Sequence, residues 1–328
     1  MSLRSVLQLL ADGNIHSGEE IGEALGVSRT AVWKQLQKLQ ELGLSLSSVK
    51  GRGYQLPGGL ELLEKEAILS ALPTESQSLL KHLEVENSID STNTRAMIKA
   101  REGNAGGYAC IAEHQTAGRG RHGRKWVSPF GRNIYMSVVW EFNQGAAALE
   151  GLSLAVGVAI ARAINQLKSN GNTVEPVQLK WPNDVYWQGK KLAGVLLEMS
   201  GEPSGRCQVV VGVGLNVAML AEEAKEVDQQ WVSLNSFSGP VSRNQLAASL
   251  LGELLNLLSN FDREGFSSVK DEWESLDYFK EKDVEISVGA NSLLGRAAGV
   301  SDNGALRLMT AEGEQLIYGG EASARPSV

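Results

Sequence analysis

The densest cluster of positive charge in the chain is the loop 118–126, with the sequence GRGRHGRKW. It holds three arginines and one lysine, no acid, and glycines between the cations. Since like charges repel, we expect this loop to stay open until an anion arrives, and glycines then let the backbone wrap the anion closely. Arginine binds phosphate well, so the pattern indicates a phosphate-bearing ligand. A solvated basic loop without a ligand is the alternative.

This loop also fits the G-x-G-x-x-G pattern of dinucleotide-binding folds, but the residues after it exclude that fold. The dinucleotide fingerprint opens a helix, whereas Trp126 is followed by Val-Ser-Pro-Phe-Gly, which does not start one. The sequence also lacks the G-x-x-x-x-G-K-[ST] phosphate loop, the G-x-S-x-G serine elbow and any zinc-like spacing of histidines and cysteines. P-loop NTPases, elbow-type serine hydrolases and zinc sites are therefore not expected.

A second group of polar residues follows a strand candidate at Lys180-Trp181-Pro182-Asn183-Asp184. The residue before a proline is held extended, so we expect the Asn-Asp pair in a turn, with side chains that point into a cleft. There Asp184 is a candidate ligand for a Mg²⁺ ion that escorts phosphates. Asn-Asp is equally common in ordinary turns, and that alternative stays open.

Two further segments read as strands that carry unusual residues. Lys191 begins the apolar stretch KLAGVLLEM, where a half-buried lysine needs an anion unless it extends to water. Gly212 and Gly214 alternate along VVVGVGL and clear one face of that strand for a flat ligand or a backbone. Asn216 follows two residues later and is placed to read the edge of a heterocycle.

Length and composition describe a multidomain globular protein. At about 100–200 residues per domain, the 328 residues predict two or three domains. The residues are 42% apolar and 21% charged, and no stretch is apolar enough to cross a membrane. The first residues reach Asp12 without a cleavage site, so we expect no signal peptide. Two cysteines fit a reducing cytoplasm, and the net charge of −7 argues against non-specific nucleic-acid binding by the whole chain.

Residues 1–60 predict a winged helix-turn-helix. A first helix is followed by a capping box at Ser17, a second helix, and a third that Ser28 begins and Gly43 ends. An alternating stretch around Arg52 then predicts a hairpin. The residues expected to face DNA are Arg29, Thr30, Lys34, Gln37 and Lys38 on the last helix, and Lys50, Arg52 and Tyr54 on the wing. Such modules also bind proteins or dimerise, which is the alternative.

The rest of the chain predicts two further domains, so the expected fold class is α+β and multidomain. Residues 61–275 mix strands with two long apolar helices, and several strands follow each other without a helix between them. A mixed α/β domain on one sheet fits this order better than repeated βαβ units. Residues 276–328 hold short strands separated by Gly, Asn and Asp, which indicates a small closed β-barrel.

The motifs GRGRHGRKW, KWPND, KLAG and GVGLN behind a winged helix resemble the biotin protein ligase family, in particular its bifunctional bacterial members, which also repress biotin synthesis genes. The resemblance covers essentially the whole chain. It implies a central domain similar to class II synthetases and a C-terminal SH3-like barrel. It also implies a two-step reaction, in which biotin and ATP form biotinyl-5′-AMP and pyrophosphate, and the adenylate then acylates a lysine of a carrier protein.

The resemblance also implies roles for individual residues. Lys191 and Arg121 match the catalytic residues, since two anions must approach each other and cations offset their repulsion. The residues that match biotin contacts are Ser91, Thr92, Asn93, Gln115, Arg119, Arg121, Lys191 and Gly194. Those that match ATP or adenylate contacts are Arg119, Arg121, Arg124, Trp126, Asn183, Asp184, Asn216, Trp231 and Arg325. His122 departs from the family, whose members often have arginine there.

The implied partners are the biotin carboxyl carrier protein of acetyl-CoA carboxylase, operator DNA, and a second copy of the chain once adenylate is bound. Biotin, ATP and Mg²⁺ are the implied ligands, and no membrane is involved. Two alternatives remain. The first is a biotin-sensing transcription factor without ligase activity, which would not need Arg119, Arg121 and Lys191 because sensing biotin alone requires no triphosphate site. A lipoate–protein ligase needs neither the Ser-Thr-Asn segment nor a winged helix.

Overall fold

The N-terminal elements form a small helical unit with a β-hairpin. The computed structural model describes residues 3–145, 149–167, 176–201, 205–289 and 291–324. Its first elements are α1 (Leu3–Leu10), α2 (Gly18–Leu25), α3 (Arg29–Glu41), β1 (Ser47–Val49) and β2 (Gly53–Gln55). Because β1 and β2 pair as an antiparallel hairpin after the helices, this unit has the predicted winged-helix arrangement.

Local sequence explains where these helices begin and which way they face. Ser17 caps α2 in a complete capping box with Glu20, and Ser28 accepts a hydrogen bond from an amide in the first turn of α3. The stripe Val32, Leu36 and Leu39 of α3 is buried in the N-terminal core. The opposite, polar face of α3 is thereby left to solvent or to a partner.

A seven-stranded sheet forms the centre of the chain. Its strands are β3 (His82–Glu86), β4 (Tyr108–Ala112), β5 (Ile134–Phe142), β6 (Gln178–Lys180), β7 (Asp184–Trp187), β8 (Lys190–Gly201) and β9 (Cys207–Leu215). They lie in the order β3-β4-β5-β9-β8-β7-β6. Among these described strands β3 and β4 pair in parallel and the other neighbours are antiparallel, so repeated βαβ units are absent from this sheet.

Helices cover both faces of this sheet. They are α4 (Lys65–Ala71), α5 (Thr74–Gln77), α6 (Thr92–Glu102), α7 (Leu152–Asn165), α8 (Asn235–Ser238), α9 (Arg243–Glu264) and α10 (Lys270–Ser275). The two long apolar helices α7 and α9 share one core with Ala109 and Ile111 of β4, whereas α6 packs on Tyr108 and Cys110 of the same strand. Alternate residues of a strand face opposite sides, so α6 lies on the other face. Within the described residues, no helix combines the length and apolarity needed to cross a bilayer.

The C-terminal strands form a second, antiparallel sheet. They are β10 (Asp283–Val288), β11 (Asn291–Val300), β12 (Leu306–Thr310), β13 (Gly313–Ile317) and β14 (Glu321–Ala324). They lie in the order β13-β12-β11-β10-β14, and inward residues such as Val284 and Leu308 belong to the same core as α7 and α9. β13 and β14 are the two edges of this order, so a closed SH3-like barrel stays a prediction. The class II synthetase likeness and the boundaries 1–60, 61–275 and 276–328 also stay predictions.

Buried polar groups hold the chain that follows Pro57-Gly58-Gly59. Arg243, at the start of α9, donates from Nη1 to the carbonyl of Glu61 over 2.7 Å. Its Nη2 lies 2.7 Å from a carboxylate oxygen of Glu113, and both side chains are almost fully buried. Leu62 and Phe130 also enter the N-terminal core. Packing on both sides therefore fixes residues 60–63.

Asp277 lies between the two sheets and allows a test of their packing. It is 6% exposed. Its backbone pairs with that of Leu179 in β6. Burial raises the pKa of its carboxyl to about 6. An acid whose pKa is raised by folding stabilises the folded state while protonated, and this contribution is lost as the pH rises through about 6.

Asp277→Asn is therefore expected to stabilise the protein above that pH. The neutral amide avoids a buried charge, so the free energy of unfolding should rise by about 1–2 kcal/mol near pH 8 and change little near pH 4. Denaturant unfolding at both pH values measures this difference. A change of equal size at both pH values would contradict the position assigned to Asp277.

Candidate active site

A cavity of about 650 Å³ opens between the central sheet, the loop 118–126 and the C-terminal sheet. Its volume lies in the range of about 300–1,000 Å³ that is usual for small-molecule sites. Most predicted ligand residues line it, namely Ser91, Thr92, Asn93, Gln115, Arg119, Arg121, Arg124, Trp126, Asn183, Asp184, Lys191 and Gly194. The fold thus brings motifs that are far apart in the sequence to one place.

One part of the cavity wall is a hydrogen-bonded network at the start of α6. Gln115 Oε1 accepts from Thr92 N at 2.9 Å and from Thr92 Oγ1 at 3.1 Å, and Gln115 Nε2 donates to Ser128 Oγ at 3.1 Å. Ser137 Oγ lies 2.8 Å from Thr92 Oγ1 and 2.6 Å from Asn93 Oδ1. Hydroxyl and amide groups offer donors and acceptors without net charge. This network therefore suits a neutral polar ring such as a cyclic urea.

Gly212 and Gly214 of β9 make room for side chains of the protein itself. A Cβ on Gly212 would collide with the amide of Asn93, whose Cγ would lie 2.8 Å away. A Cβ on Gly214 would lie 2.6 Å from the ring atom Cζ2 of Trp126. The glycines clear one face of the strand, as predicted. The prediction is wrong about what occupies the space, because the side chains of Asn93 and Trp126 fill it instead of a ligand or a backbone.

Gly212→Ala is expected to weaken binding of the predicted ligand, biotin. The new Cβ would displace Asn93, and one lost buried hydrogen-bonding group, worth about 1–3 kcal/mol, should raise the KM for biotin on the order of 10-fold with a smaller change in kcat. Gly205→Ala is the matched control, since a Cβ there meets no atom of the described residues within 4 Å. Steady-state kinetics that show an unchanged KM for Gly212→Ala would contradict the role given to Asn93.

The loop 118–126 folds back as a small hairpin, with Arg119 bridged to Lys125. Each of its arginines and its lysine has a partner outside the loop. Arg119 Nη2 lies 2.7 Å from Glu198 Oε2, and Arg121 Nη1 donates to Asn183 Oδ1 at 3.1 Å. Arg124 Nη2 lies 2.7 Å from Glu321 Oε2, and Lys125 Nζ lies 2.5 Å from Glu226 Oε2. The prediction of an open loop is wrong for this structure, because these acceptors offset the repulsion between the cations. The hydrogen bond to Glu321 raises the pKa of Arg124, and burial lowers that of Arg121.

Glu198 connects this loop to the polar network. Its Oε2 accepts from Asn93 Nδ2 at 2.9 Å and from Arg119 Nη2 at 2.7 Å. Glu198 was missed in the sequence. Strand alternation was the signal that could have identified it, because Glu198 lies on the same face of β8 as Gly194 and Leu196, which line the cavity. Other participants missed in the sequence are Ser128, Ser137, Glu226 and Glu321.

Lys191 and Lys180 add positive charge to the same cavity. Lys191 Nζ lies 2.9 Å from Asp184 Oδ1 and 5.5 Å from the centre of the Trp126 ring. The side chains of Lys191 and Asp184 are mostly buried, at 14% and 15% exposed. Burial lowers the pKa of Lys180, which donates to Tyr186 Oη at 3.1 Å. Two lysines beside an arginine-rich loop create a positive field that suits phosphate and carboxylate groups.

Two residues predicted to contact the nucleotide, Asn216 and Trp231, do not line the cavity. Asn216 is buried just after β9, where its backbone N–H donates to the carbonyl of Leu192. Trp231 pairs with Lys191 through its backbone and does not line the cavity. Arg325 lies outside the described residues. Contacts of Asn216, Trp231 and Arg325 with a nucleotide therefore stay predictions.

The N-terminal unit presents its predicted DNA-facing side chains to solvent. The exposed ones are Arg29, Thr30, Lys34, Gln37, Lys38, Lys50 and Arg52, and Tyr54 is partly exposed. Helix α3 also presents Trp33, which is 50% exposed and was not predicted to have a role. Cations on both helix and wing suit phosphates on either side of a groove.

Comparison with known proteins matches three segments of the chain to family models. Residues 85–216 match the Biotin/lipoate A/B protein ligase family, residues 2–55 an HTH domain, and residues 281–325 the Biotin protein ligase C terminal domain. The Bifunctional ligase/repressor BirA of Escherichia coli (strain K12) is 41% identical over 98% of this chain and 96% of its own length. The protein of the same name from Bacillus subtilis (strain 168) is 30% identical over 92% and 91%. Biotin protein ligase from Aquifex aeolicus, solved in complex with biotin and ATP, covers 76% of this chain and 100% of its own with a TM-score of 0.63 and 31% identity.

Proposed function

Because the chain belongs to the biotin protein ligase family and has the domains of its bifunctional ligase/repressor members, we propose that it joins biotin to a carrier protein and represses biotin synthesis genes. The observation that carries the ligase function is the composition of one cavity. A neutral hydrogen-bonding network around Gln115 and Asn93 shares that cavity with Lys191 and the cationic loop. Such a site binds a neutral urea ring and two anionic groups at once.

The first step joins the biotin carboxylate to the α-phosphate of ATP. A carboxylate oxygen attacks phosphorus, the bond between the α- and β-phosphates breaks, and pyrophosphate leaves. Two unit charges 4 Å apart repel by about 4 kcal/mol at an effective dielectric constant of 20. Lys191 is the cation that lies between them and offsets this repulsion, and Asp184, at 2.9 Å, holds its ammonium group in place.

The cationic loop binds the phosphates by exchange of partners. Arg124 and Lys125 are paired with exposed carboxylates of Glu321 and Glu226. Exposed ion pairs contribute only about 0–1 kcal/mol each, so a triphosphate can replace these carboxylates at little cost. Arg121, which is anchored on Asn183, then positions the α-phosphate and retains the adenylate.

In the second step an uncharged lysine amine of the carrier protein attacks the carbonyl carbon of biotinyl-5′-AMP. An amide bond forms, the bond from carbonyl carbon to phosphate oxygen breaks, AMP leaves with its negative charge, and the attacking nitrogen releases one proton to solvent. The acceptor is the biotin carboxyl carrier protein of acetyl-CoA carboxylase. We assign no base to this step.

Mg²⁺ fits this site as an ion that enters with ATP. The described residues contain no cluster of three His, Cys, Asp or Glu side chains that would hold a metal by themselves. Asp184 is a carboxylate on the cavity wall, and Mg²⁺ often binds one or two carboxylates together with substrate phosphates. Bound there, the ion would neutralise phosphate charge.

The repressor function uses the N-terminal unit. The exposed cations of α3 and the wing bind operator phosphates and bases, and two copies of the chain bind together once adenylate fills the cavity. We place this activity in the cytoplasm, where ATP, carrier protein and DNA are all present. The C-terminal sheet acts as an SH3-like barrel that covers the nucleotide, since Ser287 and Glu321 line the cavity.

One incubation separates this function from its two alternatives. The purified chain is mixed with ATP, carrier protein and either biotin or lipoate, and modification of the carrier lysine is followed by mass spectrometry. We expect biotin to be attached and lipoate to be refused. Attachment of lipoate instead would indicate a lipoate–protein ligase. Binding of biotin without any modified carrier would indicate a sensing module.

A further inference from the structure

Helix α3 carries a large apolar side chain in the middle of its polar face. Trp33 is 50% exposed. Arg29, Thr30 and Gln37 are three or four positions away and therefore share its face of the helix. A half-exposed indole leaves apolar surface in water that burial would stabilise. Single exposed apolar residues are common, so the surroundings of Trp33 must decide whether it has a role.

Trp33 borders a hollow of about 350 Å³ between α3, the start of α2 and the wing. The hollow is lined by Gly18, Arg29, Thr30, Val32, Trp33 and Tyr54. Gly18 lies between the two sides, since a Cβ there would be at ordinary contact distance from both, 3.5 Å from Arg29 Cγ and 3.7 Å from Tyr54 Cε2. Two aromatic rings, a guanidinium group and a threonine thus form one concave surface.

The charge around this hollow decides what occupies it. Arg29, Lys34 and Lys38 on α3 are exposed, as are Lys50 and Arg52 on the wing. Duplex DNA is the partner with complementary charge, and its major groove offers one apolar group on the base edges, the methyl group of thymine. We propose that Trp33 reads thymine methyl groups in the major groove, while Arg29 and Thr30 bind neighbouring base edges. This inference rests on the proposed repressor function and adds the residue that sets its sequence preference.

A selection experiment provides the DNA. Full-length protein with biotin and ATP selects duplexes from a randomised library, and the preferred duplex is then remade with each thymine replaced in turn by uracil, which removes only the methyl group. We expect at least one replacement to weaken binding by the parent protein about 10-fold. Trp33→Ala should bind the thymine duplex about as weakly as the parent binds that uracil duplex, and should not distinguish the two. Tyr318→Ala, which removes a 65% exposed aromatic side chain between β13 and β14, should behave like the parent.

The outcomes separate this inference from the function on which it rests. A parent protein that selects no preferred duplex would contradict the repressor function itself. A parent protein that selects a duplex but tolerates every uracil replacement would overturn the role of Trp33, whatever the variant does. So would a Trp33→Ala protein that keeps the full preference for thymine over uracil.

Discussion

Lys191→Ala is expected to slow the formation of biotinyl-5′-AMP by about 10²–10³-fold, the usual effect of removing one preorganised charge from a site where charge develops. The effect should appear in kcat, because Lys191 acts between the two reacting anions. Arg121→Ala should slow the formation of biotinyl-5′-AMP to a similar degree. It should also release adenylate into solution, since Arg121 connects the loop to Asn183.

Rapid-quench measurement of pyrophosphate release from ATP checks this result. Lys190→Ala is the matched control, because Lys190 is the preceding residue of the same strand, is exposed and does not line the cavity. It should release pyrophosphate at the parent rate. If Lys191→Ala also releases pyrophosphate at the parent rate, the assignment of Lys191 is wrong.

Operator binding is expected to require biotin and ATP together. Residues 1–60 have a net charge of only +1, with six lysines and arginines against five acids. Affinity for DNA rises with the number of phosphates neutralised, so one copy should bind weakly. Two copies related by a two-fold axis double the contacts and match a palindromic site.

The cavity explains how ligand would control this association. Lys125 of the cationic loop pairs with Glu226, and the amide of Lys191 donates to the carbonyl of Gln230. A ligand that contacts Lys191 and replaces the carboxylate partners of the loop would hold residues 118–126 and 219–231 together in one ligand-bound arrangement. If the second copy binds this arrangement better, ligand and dimer are coupled by about 1–3 kcal/mol or 5–150-fold in affinity.

Sedimentation and gel-shift titrations of one preparation measure this coupling. Dimer and operator complex should both form with biotin and ATP, and unmodified carrier protein should delay both by consuming the adenylate. Lys191→Ala, which should form the adenylate slowly, should fail to form either complex with biotin and ATP. The coupling would be refuted by an oligomeric state or an operator affinity that is the same with and without ligand.

Signals that act over a few residues were readable in the sequence. The capping box at Ser17, the cap at Ser28 and the apolar run of β9 predicted elements that the structure contains. Helix α6 was missed, because its short sequence TNTRAMIKARE buries only small or polar residues and has no broad apolar stripe. Strands β3 and β7 were also missed, because each is short, with five and four residues.

Interactions between distant segments were not readable. The cations of the loop 118–126 could be seen, but their partners lie 79 positions away for Arg119 and 197 positions away for Arg124. Without those partners, repulsion predicts an open loop. The position of Asn216 depends on a distant segment in the same way. Its backbone N–H pairs with Leu192 of β8, and only the folded sheet determines this pairing.

The most direct test of the central claim is release of pyrophosphate from ATP in the absence of any carrier protein. With biotin, we predict a burst of one pyrophosphate per active chain, which leaves biotinyl-5′-AMP bound until carrier protein is added and discharges it. With lipoate, we predict no burst. Absence of a burst with biotin, or an equal burst with lipoate, would contradict the assignment of this cavity to biotin activation.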